Sequence, residues 1–255
     1  IFSPTGGNVG IGFAIPANTA NAIVQQLLQN GRVSRGWIGV SIQPLDQDIA
    51  RSLGLEEPRG ALVATVVPDG PAARAGIQQG DVILTFNGQR IEDSRDLTQR
   101  VGGTAIGNNS RVEVLRNGQR RTLNLRLQER PSEQQLASAN QTPNATPSPT
   151  PESGAGVAQS SLGLSVRPMT SADRTRYELG ANDAGLVVTS VEPTSDAAQK
   201  GIGPGDVILQ AGGRPVRSAQ DLSTAADAAR RANRPLLLQV DGPRGRRFIA
   251  ADVAE

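Results

Sequence analysis

Gly80-Asp81-Val82-Ile83-Leu84 recurs as Gly205-Asp206-Val207-Ile208-Leu209, an offset of 125 (205 − 80). Carrying that offset outward, 16 of the 38 positions in residues 60–97 match residues 185–222. The matches include Gly60/Gly185, Pro68/Pro193, Ala72-Ala73/Ala197-Ala198, Gly76-Ile77/Gly201-Ile202, Gly88/Gly213 and Asp96-Leu97/Asp221-Leu222. A self-match at one period over that length means a duplicated domain, and the function has to be read from the unit that is duplicated.

Each copy has roughly 100 residues, enough for its own core. Aromatic residues make up only 2% of the 255, so the cores must be built from Val, Ile, Leu and Ala. The net charge is +2, and the Arg residues are scattered, which speaks against nucleic-acid binding. The chain has no Cys, hence no disulfide or thiolate metal site. It has no His, which removes the usual general base and the commonest metal ligand. No run of 18 apolar residues is present to span a membrane. No cofactor is expected.

Outward from the repeated stretch, the first unit covers residues 35–128. Trp37-Ile38-Gly39-Val40-Ser41-Ile42 reads as a strand entered through a glycine turn, and residues 46–53 as a short helix ended by Gly54. Residues 60–67 form an apolar, β-branched strand. Pro71 and Gly76 bracket a one-turn helix, with Pro at its first position and Gly after its end. The strand at 81–86 runs into a tight Asn87-Gly88 turn. Asp93 or Ser94 caps a helix carrying Leu97 and Val101, and residues 111–116 and 119–127 make a hairpin across Asn117-Gly118. The fold class expected is mainly β with short helices, α+β. The second unit, 161–255, repeats this plan, with Ser161-Leu162-Gly163-Leu164-Ser165-Val166 answering residues 37–42 and an Ala-rich helix at 218–232 carrying Leu222 and Ala226. Between the units, residues 129–160 are rich in Ser, Gln, Asn, Thr and Pro. They lack the apolar content to offset ordering entropy and read as a disordered, partly extended spacer.

At the other end, residues 9–15 read as a strand. Ala20, Ile23, Val24, Leu27 and Leu28 then give the spacing of a one-sided helix capped at Asn18 and ended by Gly31. One strand and one helix cannot bury both faces, so residues 1–31 read as the tail of a larger domain. Gly7-Asn8-Val9-Gly10-Ile11-Gly12 has its glycines in the wrong order for a phosphate-binding loop.

The stretch Ile1-Phe2-Ser3-Pro4-Thr5-Gly6-Gly7-Asn8-Val9-Gly10-Ile11-Gly12-Phe13-Ala14-Ile15-Pro16 resembles the end of the trypsin-like β-barrel domain of the HtrA/Deg serine proteases. The resemblance implies that Ile1, Phe2, Gly10 and Gly12 are a remnant of that domain's specificity pocket. The family's Gly-Asn-Ser-Gly-Gly nucleophile motif and triad His are not in this sequence, so the chain is expected to be inactive alone.

Each repeat resembles a PDZ domain in the permuted bacterial arrangement. Trp37-Ile38-Gly39-Val40 is similar to the carboxylate-binding loop, where Gly lets successive backbone N–H groups converge on one anion. The resemblance implies that a peptide C-terminus sits in this loop and adds as a strand beside Val40 and Ile42, with Leu97 and Val101 on the facing wall. The same residues also fit a plain core, and spacing does not separate the two. With no His at the start of that helix, apolar residues rather than Ser or Thr are expected two places before the peptide end. In the second repeat the corresponding residues are Leu162, Gly163, Leu164, Val166, Leu222 and Ala226.

Taken together, the resemblance implies the substrate-binding and regulatory PDZ portion of an HtrA/Deg-type endoprotease of protein quality control. Its partners would be C-terminal peptides of unfolded proteins and further copies of the full-length protein, in the periplasm or another extracytoplasmic compartment. The alternative is a non-catalytic PDZ peptide-binding or scaffold protein.

Overall fold

The repeated Val-Ile-Leu stretches are the central strands of two sheets. The computed structural model describes residue 14 and residues 17–31, 35–131, 158–159, 162–177 and 184–253. The first repeat holds β1 (Gly36–Trp37), β2 (Val40–Pro44), α2 (Gln47–Ser52), β3 (Ala61–Val66), α3 (Pro71–Arg74), β4 (Val82–Phe86), β5 (Gln89–Arg90), α4 (Ser94–Gly103), β6 (Asn109–Arg116), β7 (Gln119–Arg126) and β8 (Gln128–Glu129). Before it lies α1 (Ala17–Asn30). The second repeat holds β9 (Ala158–Gln159), β10 (Leu164–Pro168), α5 (Ser171–Arg176), β11 (Leu186–Val191), α6 (Asp196–Gln199), β12 (Val207–Ala211), β13 (Arg214–Pro215), α7 (Ala219–Arg231), β14 (Leu236–Asp241) and β15 (Arg247–Ala251).

Both sheets are antiparallel. The first runs β2-β3-β4-β6-β7 with β5 on β4, and β1 pairs β8 apart from it. The second runs β15-β14-β12-β11-β10-β9 with β13 on β12. The local signals act as their chemistry dictates. Asn87-Gly88 and Asn117-Gly118 both take left-handed φ at each residue, the backbone of the twisted two-residue hairpin turn. The side chains of Asp46, Asp93, Ser195 and Ser218 each accept a backbone N–H at the start of their helices. In each repeat the helix after the central strand, α4 or α7, closes a core of mainly aliphatic residues, joined in the first repeat by Phe86.

The repeated aspartate of the duplicated stretch anchors each unit. Asp81 is fully buried, takes the Arg116 guanidinium through two bonds of 2.7 Å, and accepts the Gln78 N–H at 2.9 Å. Asp206 accepts the Gly203 N–H at 3.1 Å and Arg247 at 3.2 Å. The two arginines come from opposite arms of the closing hairpin, Arg116 from β6 and Arg247 from β15.

The repeats meet along an apolar seam. Ile49, Leu62, Val82 and Leu115 of the first pack with Leu237, Phe248 and Ala250 of the second. The Gln43 amide both donates to the Phe248 carbonyl (2.8 Å) and accepts the Phe248 N–H (3.0 Å). Lys200 donates to Asp48 at 2.7 Å and to the Ala250 carbonyl at 2.6 Å, and pairs with Asp196 at 3.1 Å.

Described secondary structure reaches into residues 129–160 from both ends. Glu129 pairs with Gly36, and the Arg130 N–H donates to the Arg35 carbonyl, so the first domain extends past 128. At the other end, Ala158–Gln159 belongs to the second sheet. Residues 132–157, the strand expected at 9–15, the pocket remnant Ile1, Phe2, Gly10 and Gly12, and Gly180 lie outside the described residues.

The charged groups set a pH profile. Hydrogen bonds from Arg167, then from Thr170, hold the Asp173 carboxyl far below the usual range. Lys200 lowers Asp48, and Arg100 lowers Asp96. Folded values below the unfolded value of 3.8 mean that these stabilisations are present above that pH and are lost as pH falls. Lys200 moves the other way. Burial works against its charge, but hydrogen bonds to Asp48 and Asp196 raise it, so its contribution is lost only above 10.5. With no imidazole in the chain, the thermal midpoint is expected to stay level from pH 5 to 7 and to fall below pH 4. Circular-dichroism melts check this; a step between pH 5.5 and 7 contradicts it.

Candidate functional site

The site is built on β2, which is an edge strand of its sheet. One side of β2 is bonded to β3, from Val40↔Val66 to Pro44↔Ala61. Its other side has no strand partner among the described residues. Such an edge is a template for one more strand. Helix α4 packs against β1, β2 and β3. Between β2 and α4 runs a cleft of about 280 Å³, lined by Ile42, Ser94, Arg95, Thr98 and Gln99.

The loop at the end of β2 is held in a left-handed turn. Gly39 has φ +79°, and a Cβ there would come within 3.2 Å of the Trp37 ring and 3.5 Å of the Gly70 Cα. Gly39 is therefore buried on that side, packed between the indole and α3's N-cap. The carbonyls are tied down: Ile38 O accepts Ala72 N–H (2.8 Å), and Gly39 O accepts Val67 N–H (2.9 Å). Among the described residues, no acceptor engages the Ile38 or Gly39 N–H groups. Two successive unpaired amides at a glycine turn form a nest suited to an anion.

The expected wall residues divide. Val40 and Ile42 are half-buried and pack against the rim of the first core, with Ile42 also lining the cleft, whereas Ile38 is core, at 4% exposure. Leu97 and Val101 are core as well, at 1% and 7%, packed in the cluster that contains Ile83 and Phe86. Their i, i+4 face turns inward, and the neighbouring face bearing Ser94, Arg95 and Thr98 lines the cleft instead. The surface these residues give the cleft is still mainly apolar, and the Thr98 hydroxyl donates along the helix to the Ser94 carbonyl at 2.9 Å.

In the second repeat Leu162, Leu164, Val166, Leu222 and Ala226 are all buried core. Gly163 keeps the loop turn at φ +69°, and its carbonyl accepts the Glu192 N–H at 2.8 Å. Here, however, a Cβ would meet Ser195 Cβ at 2.8 Å and the Glu192 carboxylate at 3.4 Å. The edge of β10 is paired with β9.

A larger cleft of about 650 Å³ lies on the first repeat among Pro71, Arg74, Ile106, Arg126 and Glu129. It touches neither β2 nor the glycine loop. Among the described residues, no group of three or more His, Cys, Asp or Glu side chains could hold a metal ion, and no helix is long and apolar enough to cross a membrane.

Similarity to known proteins runs along both repeats. Two models described as PDZ domain match residues 36–127 and 155–241. The sequence is 41% identical over 254 residues to a probable periplasmic serine endoprotease DegP-like of Brucella suis, covering 99% of this chain and 46% of that protein. It is 39% identical over 258 residues to the like-named protein of Rhizobium meliloti, covering 100% and 48%. Against that of Pseudomonas putida it is 37% identical over 255 residues, covering 100% and 50%. The chain thus spans about half the length of the curated relatives it matches. Among solved structures, an HtrA-type protease, AlgW, with tripeptide is 45% identical over 52% of this chain and 44% of that one, with a TM-score of 0.48.

Proposed function

Because the chain belongs to the HtrA/DegP-like family of serine endoproteases and carries two of its PDZ domains, we propose that its first PDZ domain captures the C-terminal tails of unfolded proteins. The tail adds as a strand on β2, and its carboxylate sits at the Ile38 and Gly39 amides. The pair of domains serves substrate binding and regulation in a protein-quality-control endoprotease that works as a homo-oligomer. The named relatives are periplasmic, and we place this chain in the same compartment. The chain has no His, so it supplies no Ser–His pair, and cleavage is not assigned to its residues.

The observation that carries this reading is a β2 edge and a glycine turn with two successive N–H groups that, among the described residues, have no partner. A terminal carboxylate there gains charge-assisted bonds that an amide does not. The cleft beside Ile42 is mainly apolar, so an apolar residue two places before the peptide end is the expected fit.

The test uses a fluorescein-labelled decapeptide with three apolar C-terminal residues, as the free acid and as its C-terminal amide. The free acid is expected to bind at least about tenfold more tightly. Ile42→Asp, at the half-buried lip of the cleft, is expected to weaken the free acid by a similar factor, because a carboxylate there meets an apolar chain. Fluorescence anisotropy reads both. Equal binding of acid and amide sinks the proposal.

A further inference from the structure

Among the described residues, the two repeats differ at the edge strand. In the first, β2 has no outer strand partner among those residues. In the second, β10 is covered by β9, with Ser165↔Gln159 and Val166↔Ala158 in antiparallel register. We propose that Ala158–Gln159 occupies the peptide edge of the second PDZ domain in cis, so that this domain accepts a ligand strand only after its own strand is displaced. This rests on the reading that the matching edge of the first repeat receives peptides.

Three observations support it. The first is direction. As residue number rises along β9 it falls along β10, so β9 runs toward the Gly163 loop. That is the sense in which a tail on β2 would run toward Gly39. The second is connection. β9 joins β10 through residues 160–163 alone, and so short a tether holds a strand at about millimolar effective concentration. A free peptide must compete with that, and its apparent affinity falls by the fraction of time the edge is open.

The third is charge. By the offset of 125, Glu192 stands where the first repeat has Val67, and Ser195 where it has Gly70. The Glu192 carboxylate lies 3.4 Å from where a Gly163 side chain would begin. A carboxylate beside the loop repels a free chain terminus. It does not repel β9, whose chain continues through the loop and brings no terminal charge. The loop chemistry and the occupied edge point to the same occupant.

The test compares the full chain with Ala158→Pro/Gln159→Pro, which removes both β9 N–H groups. Amide exchange at Ser165 and Val166 is expected to accelerate at least about tenfold in the variant, with exchange in β2 unchanged. The decapeptide as its C-terminal amide, which brings no charge to Glu192, is expected to perturb the backbone amide shifts of residues 164–168 in the variant and not in the parent, while the free acid is expected to perturb residues 40–43 in both. Unchanged exchange, or shifts at residues 164–168 that are equal in both chains or absent from the variant, overturns the inference. Shifts at residues 40–43, expected in both chains, report on the first repeat separately. Their absence would count against tail capture at β2, while the exchange result still decides whether β9 holds β10.

Discussion

Asp81→Ala is expected to destabilise the first repeat by about 3 kcal/mol or more. The carboxylate is fully buried, and its removal leaves the Arg116 guanidinium, itself only 14% exposed, without a counter-charge. It also strands the Gln78 N–H. Asp206→Ala should cost the second repeat less, about 1–2 kcal/mol, because only one Arg247 bond of 3.2 Å and one backbone bond are lost. Residue-resolved amide exchange on the full chain measures the two repeats separately. The double replacement Asp81→Leu/Arg116→Met should recover most of the loss, since an apolar pair of similar volume leaves no buried charge unpaired. A loss below about 1 kcal/mol in Asp81→Ala would show that the pair does not anchor the domain.

Leu97→Ala carries the second large effect. Leu97 is 1% exposed inside the first core, so truncation should cost about 2–5 kcal/mol in transfer and cavity terms. Its neighbour Thr98 is exposed on the cleft, and Thr98→Ala should change stability by no more than about 0.5 kcal/mol. Adjacent residues on one helical turn thus separate the roles: Leu97 holds the fold and Thr98 lines the cleft. Urea denaturation followed by first-repeat amide exchange checks both. Near-native stability for Leu97→Ala would return Leu97 to the cleft wall.

That contrast explains what the amino-acid sequence could show. Periodicity places Leu97 and Val101 on one face of α4, and the structure agrees. It does not say whether that face looks into the core or across at β2, because an apolar stripe fits either. Ser94, Arg95 and Thr98 give no apolar signal in the sequence, although the cleft surface they line is mainly apolar. The same ambiguity holds for Leu222 and Ala226, which are buried in the second core. The central strands, the Asn-Gly turns and Pro71 at the start of α3 were legible because each has a local cause, in backbone geometry or alternation. β9 had no such cause. Two residues at the end of a polar segment carry no pattern, and they form a strand because β10 offers an edge.

The Trp37 ring that packs on Gly39 has a practical consequence, for it is the chain's single indole. Its emission reports on one place, the mouth where a tail's last residue would dock, with no background from the other domain. An unlabelled ligand arriving there should announce itself in intrinsic fluorescence, and traffic on the second domain should pass unseen.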